Sequence, residues 1–322
     1  MPAPKKIELI IAFAALYVIW GSTYLGIFYA IQSIPPFLMA GLRFFFAGVI
    51  MYTVARIQGT ARPSAVSWKS SLIVGACLLV GGNGAVTISE KWVPTGLAAL
   101  LVATVPIYIA LLSWFSGSAP RPSPMVWVGL LGGFAGVGIL IGPSLTNSWS
   151  SSSQNHVTLG MSILLIGSLV WSAGSLYSRT ARGSTSVFLA AGQQMICGGV
   201  LLFVLGLALG EYRDFQPGKI SVLSAGAFVY LVLIGAIIGY TAYFWLLRNC
   251  DPAKVATYAY VNPIVAMFLG TAFAGEHLNE RIFIAAALII GSVAIVITGQ
   301  QLKPKAKALP LPAAVSEPGC AP

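Results

Sequence analysis

Polar and aromatic side chains recur at helical spacing inside long apolar stretches of this chain of 322 residues. Trp20 and Tyr24 lie one helical turn apart, and Asn83, Thr87 and Glu90 follow one another at steps of four and three residues. Residues at these spacings share one face of a helix. Such groups hold a small solute through hydrogen bonds and ring contacts, with no covalent step.

The second half of the chain carries a similar set of side chains. They are Trp171, Ser175, Tyr240, Tyr243, Tyr258 and Asn262. Together the two sets predict a wet cavity walled by aromatic rings, suited to a small zwitterionic or partly apolar solute. The alternative is structural, because rings gather in belts at bilayer interfaces and asparagines tie helices together by hydrogen bonds.

One cation stands apart from these groups. Arg43 lies inside an apolar run with no acidic residue within thirty positions on either side. Its guanidinium either anchors a substrate carboxylate or clamps helix-end carbonyls or Glu90 across the bundle. The other polar candidates lie in different segments, which favours the clamp and predicts that Arg43→Lys harms folding more than substrate preference.

Two prolines interrupt apolar stretches near their middles. Pro106 and Pro263 each remove a backbone donor, which frees the carbonyls of Val102 and Ala259. The sequence therefore predicts a kink at each proline, and a hinge or gate is the functional interpretation of the same pattern.

The elements that position these residues follow from composition. Hydrophobic residues make up 57% of the chain and charged residues 8%, and the mean hydropathy is +0.86. A soluble domain is about a quarter charged, and runs of about twenty apolar residues match a bilayer core. Ten such runs predict an all-α integral membrane protein, with spans near 7–29, 36–56, 69–88, 94–116, 124–142, 158–178, 186–209, 220–247, 253–275 and 281–299.

Basic residues predict how the chain is oriented in the bilayer. If the N-terminus is cytoplasmic, thirteen lysines and arginines lie on that side and four on the other. The positive-inside rule then predicts that both termini are cytoplasmic. The net charge of +10 is spread over separate loops, so no nucleic-acid partner is expected.

An internal repeat divides the chain. Trp20, Gly41 and Gly48 recur 151 residues later as Trp171, Gly192 and Gly199. At a shift of 157 residues, Gly82, Ala85 and Pro106 recur as Gly239, Ala242 and Pro263. Five spans per copy is an odd number, so the second copy must be inverted. We predict repeats at 1–142 and 158–302, a Ser/Asn-rich linker at 143–157 and a disordered cytoplasmic tail at 303–322.

Several of these segments occur in one known family. The motifs are WGSTY (20–24), LRF (42–44), the mid-span prolines and GEHLNERIFIAAALIIGSVAIVITG (275–299). With these motifs in this order, the chain resembles the EamA branch of the drug/metabolite transporter superfamily. The first half differs, because SGSAP (116–120) stands where Glu276 has its match. The resemblance implies a permease, often an exporter, for small metabolites such as amino acids.

These features predict a secondary transporter that works by alternating access in a bacterial inner membrane, as a monomer or homodimer in the lipid bilayer. The lack of a mid-span acid favours uncoupled transport or exchange, with proton coupling through Glu8 or Glu90 as the alternative. A membrane enzyme is disfavoured, because His156 and His277 are distant and no embedded acid pair occurs. No metal or cofactor is expected.

Overall fold

The computed structural model describes residues 5–119, 121–146, 152–181, 186–250, 255 and 257–301. Within these ranges the chain forms helices and short turns, with no strand. We number the spanning helices α1 to α10. They are α1 Lys6–Ala30, α2 Pro36–Ile57, α3 Ala65–Ser89, α4 Thr95–Phe115, α5 Pro124–Thr146, α6 Ser152–Thr180, α7 Val187–Ala208, α8 Val222–Tyr230 continued through Gly239–Asn249, α9 Tyr258–Phe273 and α10 Glu280–Gln301.

The length and hydropathy of these helices confirm the prediction of an all-α membrane protein. Eight of the described helices are long and apolar enough to cross a bilayer, and two shorter apolar stretches lie at Pro124–Leu140 and Tyr258–Phe273. Because consecutive helices are joined by short loops, they alternate in direction. We call the side where α1 begins at Lys6 the N-terminal face, and the side where α1 ends at Ala30 the distal face.

The packing of the helices follows the internal repeat. Three of the helix pairs in contact join helices at matching positions of the two halves: α2 with α7, α4 with α9, and α5 with α10. Two further sets of contacts also match, because α1 packs against α8 and α9 while α6 packs against α3 and α4. The helices α1, α8 and α9 therefore form one group, and α6, α3 and α4 form its counterpart.

The crossing of α2 and α7 depends on glycine. A side chain at Gly48 would place its Cβ 2.7 Å from the backbone nitrogen of Ile196, and one at Gly199 would lie 2.6 Å from that of Phe45. Backbone atoms cannot move aside as a flexible side chain does. The four glycines at this crossing are two repeat pairs that the sequence analysis identified: Gly41 with Gly192 and Gly48 with Gly199.

Two helices contain wider π-helical turns that the sequence analysis did not predict. These turns span Ala76–Gly84 in α3 and Leu231–Ile238 in α8, which overlap when shifted by 157 residues. Such turns occur often at functional sites, since they rotate the side chains that follow them. A candidate site residue lies near the end of each turn. Asn83 is the second-last residue of the first turn, and Tyr240 comes two residues after the second.

The two prolines differ in their effect. Helix α4 is interrupted between Val102 and Val105, so Pro106 occupies the second position of a new helical segment, where its missing N–H costs nothing. Pro263 lies within the continuous helix Tyr258–Phe273. The gating roles of both prolines remain predictions.

Helices α5 and α6 extend into the segment predicted as a linker. They reach Thr146 and begin at Ser152, so only 147–151 separate them, and these five residues lie outside the described ranges. The predicted tail at 303–322 also lies outside them.

Candidate functional site

An aromatic cluster of four rings joins α1, α8 and α9. The ring of Trp20 lies 5.3 Å from that of Tyr240, 5.1 Å from that of Tyr243 and 5.1 Å from that of Tyr258, between centroids. Tyr243 and Tyr258 also meet edge to face at 6.0 Å. These separations and tilts are favourable for aromatic pairs. The structure thus brings together four of the predicted site residues.

A glycine makes room for the central ring of this cluster. A Cβ at Gly239 would lie 2.6 Å from Nε1 of Trp20. The same arrangement recurs in the other half, where a Cβ at Gly82 would lie 3.2 Å from Cδ2 of Trp171. The repeat-related tryptophans therefore pack against repeat-related glycines.

Arg43 is buried in the distal part of α2, where its guanidinium lies beside Gly235 of α8. Its side chain is 4% exposed, and its Nε and Nη1 atoms have no hydrogen-bond partner. The space for its Nη2 atom is left by Gly235, where a Cβ would lie 3.4 Å away. The carbonyl clamp expected of Arg43 is not formed through Nε or Nη1.

Glu90 ends α3 at the distal face and is buried to the same extent. It is 4% exposed, and neither of its carboxylate oxygens has a hydrogen-bond partner. It interacts electrostatically with Arg43 and Glu276, but accepts no hydrogen bond from Arg43. The structure therefore holds a buried cation and a buried anion that lie near each other and do not pair.

Helix α1 connects the two buried charges, Arg43 and Glu90, to the aromatic cluster through the segment WGSTY. Trp20 lies in the cluster, and Thr23 packs beside Gly235 next to the Arg43 guanidinium. The buried Tyr24 interacts electrostatically with Glu90. The side-chain Oδ1 of Asn262, which is 8% exposed on α9, also lacks a hydrogen-bond partner.

The other predicted residues lie between α3 and α6. Trp171 packs on Gly82, and Ser175 donates a hydrogen bond to the Trp171 carbonyl at 2.8 Å. The carbonyl of Asn83 accepts one from Thr87 at 2.8 Å. The described contacts do not join these three residues to the aromatic cluster, so their role as a second wall of the cavity stays a prediction.

The missing hydrogen bonds of Arg43 and Glu90 are unusual, because buried polar groups in native proteins are almost always hydrogen-bonded and burying a charge costs several kcal/mol. A solute with an anionic and a cationic group would satisfy Arg43 and Glu90 together. The guanidinium offers a planar fork of donors to a carboxylate, and the carboxylate of Glu90 accepts hydrogen bonds from an ammonium group. The neighbouring rings suit the apolar part of the same solute.

One acidic residue that makes a specific contact was missed from the sequence. Glu211 accepts hydrogen bonds from the backbone nitrogens of Phe37 at 3.1 Å and Leu38 at 2.9 Å. The sequence feature that could have indicated Glu211 is a second Gly-Glu pair. Gly210 and Glu211 resemble the pair Gly275 and Glu276 at the start of the motif at 275–299.

Comparison with known proteins places these features in a family. Residues 7–142 and 158–298 each match the EamA-like transporter family. The uncharacterized inner membrane transporter YedA of Escherichia coli K12 is 38% identical over 295 residues, which cover 91% of this chain and 92% of YedA. The uncharacterized transporter YoaV of Bacillus subtilis is 22% identical, covering 88% of this chain and 94% of YoaV.

A protein of known crystal structure shares the fold. Its TM-score to this chain is 0.61 at 21% identity, and the alignment covers 91% of this chain and 98% of the other. At this identity the likeness extends to the fold alone.

Proposed function

This chain belongs to the EamA-like transporter family, and from that premise we propose that it is a secondary transporter, working as an exporter of small zwitterionic metabolites such as amino acids. It operates by alternating access between two inverted halves, 1–142 and 158–302. The cytoplasm holds both termini, since the basic residues concentrate on that side. The protein acts as a monomer or homodimer and catalyses no covalent reaction.

The observation that carries this proposal is a pair of buried charges beside the aromatic cluster: Nε and Nη1 of Arg43 and both carboxylate oxygens of Glu90 have no hydrogen-bond partner. A free α-amino acid presents a carboxylate and an ammonium group on one carbon, with an apolar side chain beyond them. Arg43 binds the carboxylate, Glu90 binds the ammonium group, and the cluster around Trp20 receives the side chain. Asn83, Trp171 and Ser175 form a second wall of the cavity. This wall contacts the solute when the halves have moved.

Counterflow in proteoliposomes tests this function. Liposomes that contain the purified protein are loaded with one unlabelled amino acid and diluted into a trace of its radiolabelled form. Transient accumulation of label above that in protein-free liposomes is expected for at least one amino acid with an apolar side chain. The absence of counterflow for every amino acid in a complete panel would reject the proposal.

We expect Trp20→Ala to raise the KM for such a solute by about tenfold with little change in its maximal rate. The indole is the central ring of the cluster that receives the apolar side chain. Losing one ring contact with the solute costs about 0.5–1.5 kcal/mol, and 1.4 kcal/mol is a factor of ten. Initial uptake rates over a range of solute concentrations measure the change. Trp127→Ala is the matched control, because Trp127 meets Trp114 at 5.5 Å on α4 and α5, away from the cluster. An equal rise in KM for both variants contradicts the assignment of the cluster.

Proton-coupled exchange is a second candidate, favoured by the buried and unpaired Glu90 carboxylate. Buried acids in membrane spans commonly carry protons in transporters. The charged groups that face Glu90 are Arg43 and Glu276. A pH gradient imposed across the proteoliposomes should drive concentrative uptake if Glu90 exchanges a proton, and Glu90→Gln should remove this dependence.

A further inference from the structure

A carboxylate from one half of the protein caps a helix of the other half at the distal face. Glu276 follows the end of α9, and its oxygens accept hydrogen bonds from the backbone nitrogens of Thr95 at 2.5 Å and Gly96 at 3.1 Å. These nitrogens belong to the first turn of α4, where backbone N–H groups lack helical partners. The partial positive charge of a helix N-terminus further stabilises the anion.

A second carboxylate makes the same kind of contact. Glu211 follows the end of α7 and caps the first turn of α2 through Phe37 and Leu38. Each glutamate comes directly after a glycine in the left-handed conformation, with φ of 82° at Gly210 and 65° at Gly275. A left-handed glycine ends the preceding helix and turns the next residue sideways, toward the neighbouring helix.

The distal ends of α4 and α9 are also in direct backbone contact. A Cβ at Gly96 would lie 3.0 Å from the Cα atom of Met267, and one at Gly270 would lie 2.7 Å from Oγ1 of Thr95. Two small residues therefore allow the close approach that brings Glu276 to the N-terminus of α4. Since α9 belongs to the group of α1 and α8, while α4 belongs to the group of α3 and α6, this contact joins the two groups.

The corresponding helix ends at the N-terminal face, those of α2 and α4, lack a carboxylate directly after the glycine. These glycines have φ of 83° at Gly59 and 70° at Gly117, so the helix ends are built alike. The residues after these glycines are Thr60 and Ser118, and the Ser118 hydroxyl donates to the Ser113 carbonyl of its own helix. The carboxylate caps are thus confined to one face among the repeat-related glycine turns.

We propose that Glu211 and Glu276 latch the distal gate of the transporter, so that the protein rests with this face closed. This inference rests on the proposed function, because a gate has meaning only in a transport cycle. Opening toward the distal face requires the α9 end to leave α4, which breaks the hydrogen bonds of Glu276. Glu211 holds α2 to the α7 end on the same face and adds to the closure. Both are gating residues and contact no solute in the closed state.

Cysteine accessibility tests the latch. The four native cysteines are first replaced by serine, and the protein is purified into nanodiscs that leave both faces open to solvent. Ala98→Cys reports on the distal end of α4, and Leu16→Cys reports on α1 closer to the N-terminal face; both side chains are 0% exposed. We expect Glu276→Gln to raise the rate of maleimide labelling at position 98 about tenfold and to leave position 16, which is buried in this structure, labelled as slowly as before. Glutamine keeps the size but offers one acceptor oxygen and no charge.

Glu280→Gln is the matched control, since Glu280 is an exposed carboxylate four residues away on the same face. It should leave both labelling rates unchanged. Gly270→Ala disturbs the same cap without removing the carboxylate, because its Cβ would lie 2.7 Å from Cδ of Glu276 and 2.7 Å from Oγ1 of Thr95, and it should shift labelling in the same direction as Glu276→Gln.

The opposite results overturn the latch. If Glu276→Gln and Glu211→Gln leave both labelling rates unchanged, the caps do not hold the gate. If the rates at positions 16 and 98 rise together, the carboxylates stabilise the fold and do not select a face. Labelling needs no solute, so a selective rise at position 98 without counterflow would reject the proposed function, whereas counterflow without that rise would reject only the latch.

Discussion

Arg43→Gln is expected to lower the kcat/KM for an amino acid about 100-fold while leaving the matching amine, which lacks the carboxylate, almost unaffected. A hydrogen bond to a charged group contributes about 1.5–3 kcal/mol, and each 1.4 kcal/mol is a factor of ten. Glu90→Gln should give the converse pattern, with loss of the amino acid and little effect on the matching carboxylic acid. Initial flux of the three solutes through each variant in proteoliposomes measures the pattern.

Arg213→Gln is the control for Arg43. Arg213 is an exposed cation on the distal face, stacked at 5.6 Å on the ring of Tyr212, so its loss should leave all three fluxes unchanged. The expected result for Arg43→Lys is intermediate, because lysine keeps the charge and loses the planar fork. Equal loss of all three solutes in Arg43→Gln, with low protein levels, would restore the structural role that the sequence pattern favoured.

Gly199→Leu is expected to prevent stable assembly of the two halves. Its Cβ would lie 2.6 Å from the backbone nitrogen of Phe45 and 2.9 Å from the carbonyl oxygen of Gly41, so α2 and α7 would have to separate. Overpacking commonly costs about 1–3 kcal/mol when side chains yield, and here only backbone is available to move. Thermal unfolding of the detergent-purified protein should show a large fall in Tm, together with a low yield.

Gly291→Leu provides the comparison for this prediction. Gly291 is exposed on α10, and beyond its own stretch of helix no described atom lies within 4 Å of its ideal Cβ position. A leucine there adds apolar surface toward lipid and should leave Tm unchanged. A melting curve of Gly199→Leu that coincides with that of Gly291→Leu would mean that the α2 and α7 crossing does not carry the stability of the fold.

The sequence predicted most of the scaffold, because a bilayer imposes a simple rule. Every span must be long, apolar and internally hydrogen-bonded, and such runs are visible without tertiary information. The repeat glycines were also identifiable, since Gly41 and Gly48 recur at one fixed distance as Gly192 and Gly199. The sequence did not reveal that these glycines face one another across the same helix crossing.

Contacts between distant segments were beyond the sequence analysis. Glu211 caps Phe37 from a position 174 residues away, and no local pattern specifies that pairing. The sequence does not indicate the π-helical turn in Ala76–Gly84, because an apolar, glycine-rich stretch carries no polar pattern that would distinguish the wider turn from an α-helix. The sequence gives the charge of Arg43 but not its partners, so the clamp stays a prediction; its Nε and Nη1 atoms have no hydrogen-bond partner, and the guanidinium interacts electrostatically with Glu90.

The repeat-matched packing of Trp20 on Gly239 and Trp171 on Gly82 has a thermodynamic consequence. If two inverted halves were identical, the state open to one side of the membrane would be the rotated image of the state open to the other, and their energies would be equal. Any intrinsic bias of the cycle must therefore reside in positions where the halves have diverged. Two such pairs of repeat-related positions are Arg43 with Gln194, and Thr60 with Glu211. The positions that match between the halves permit opening toward either side of the membrane. The positions that differ decide which side is favoured.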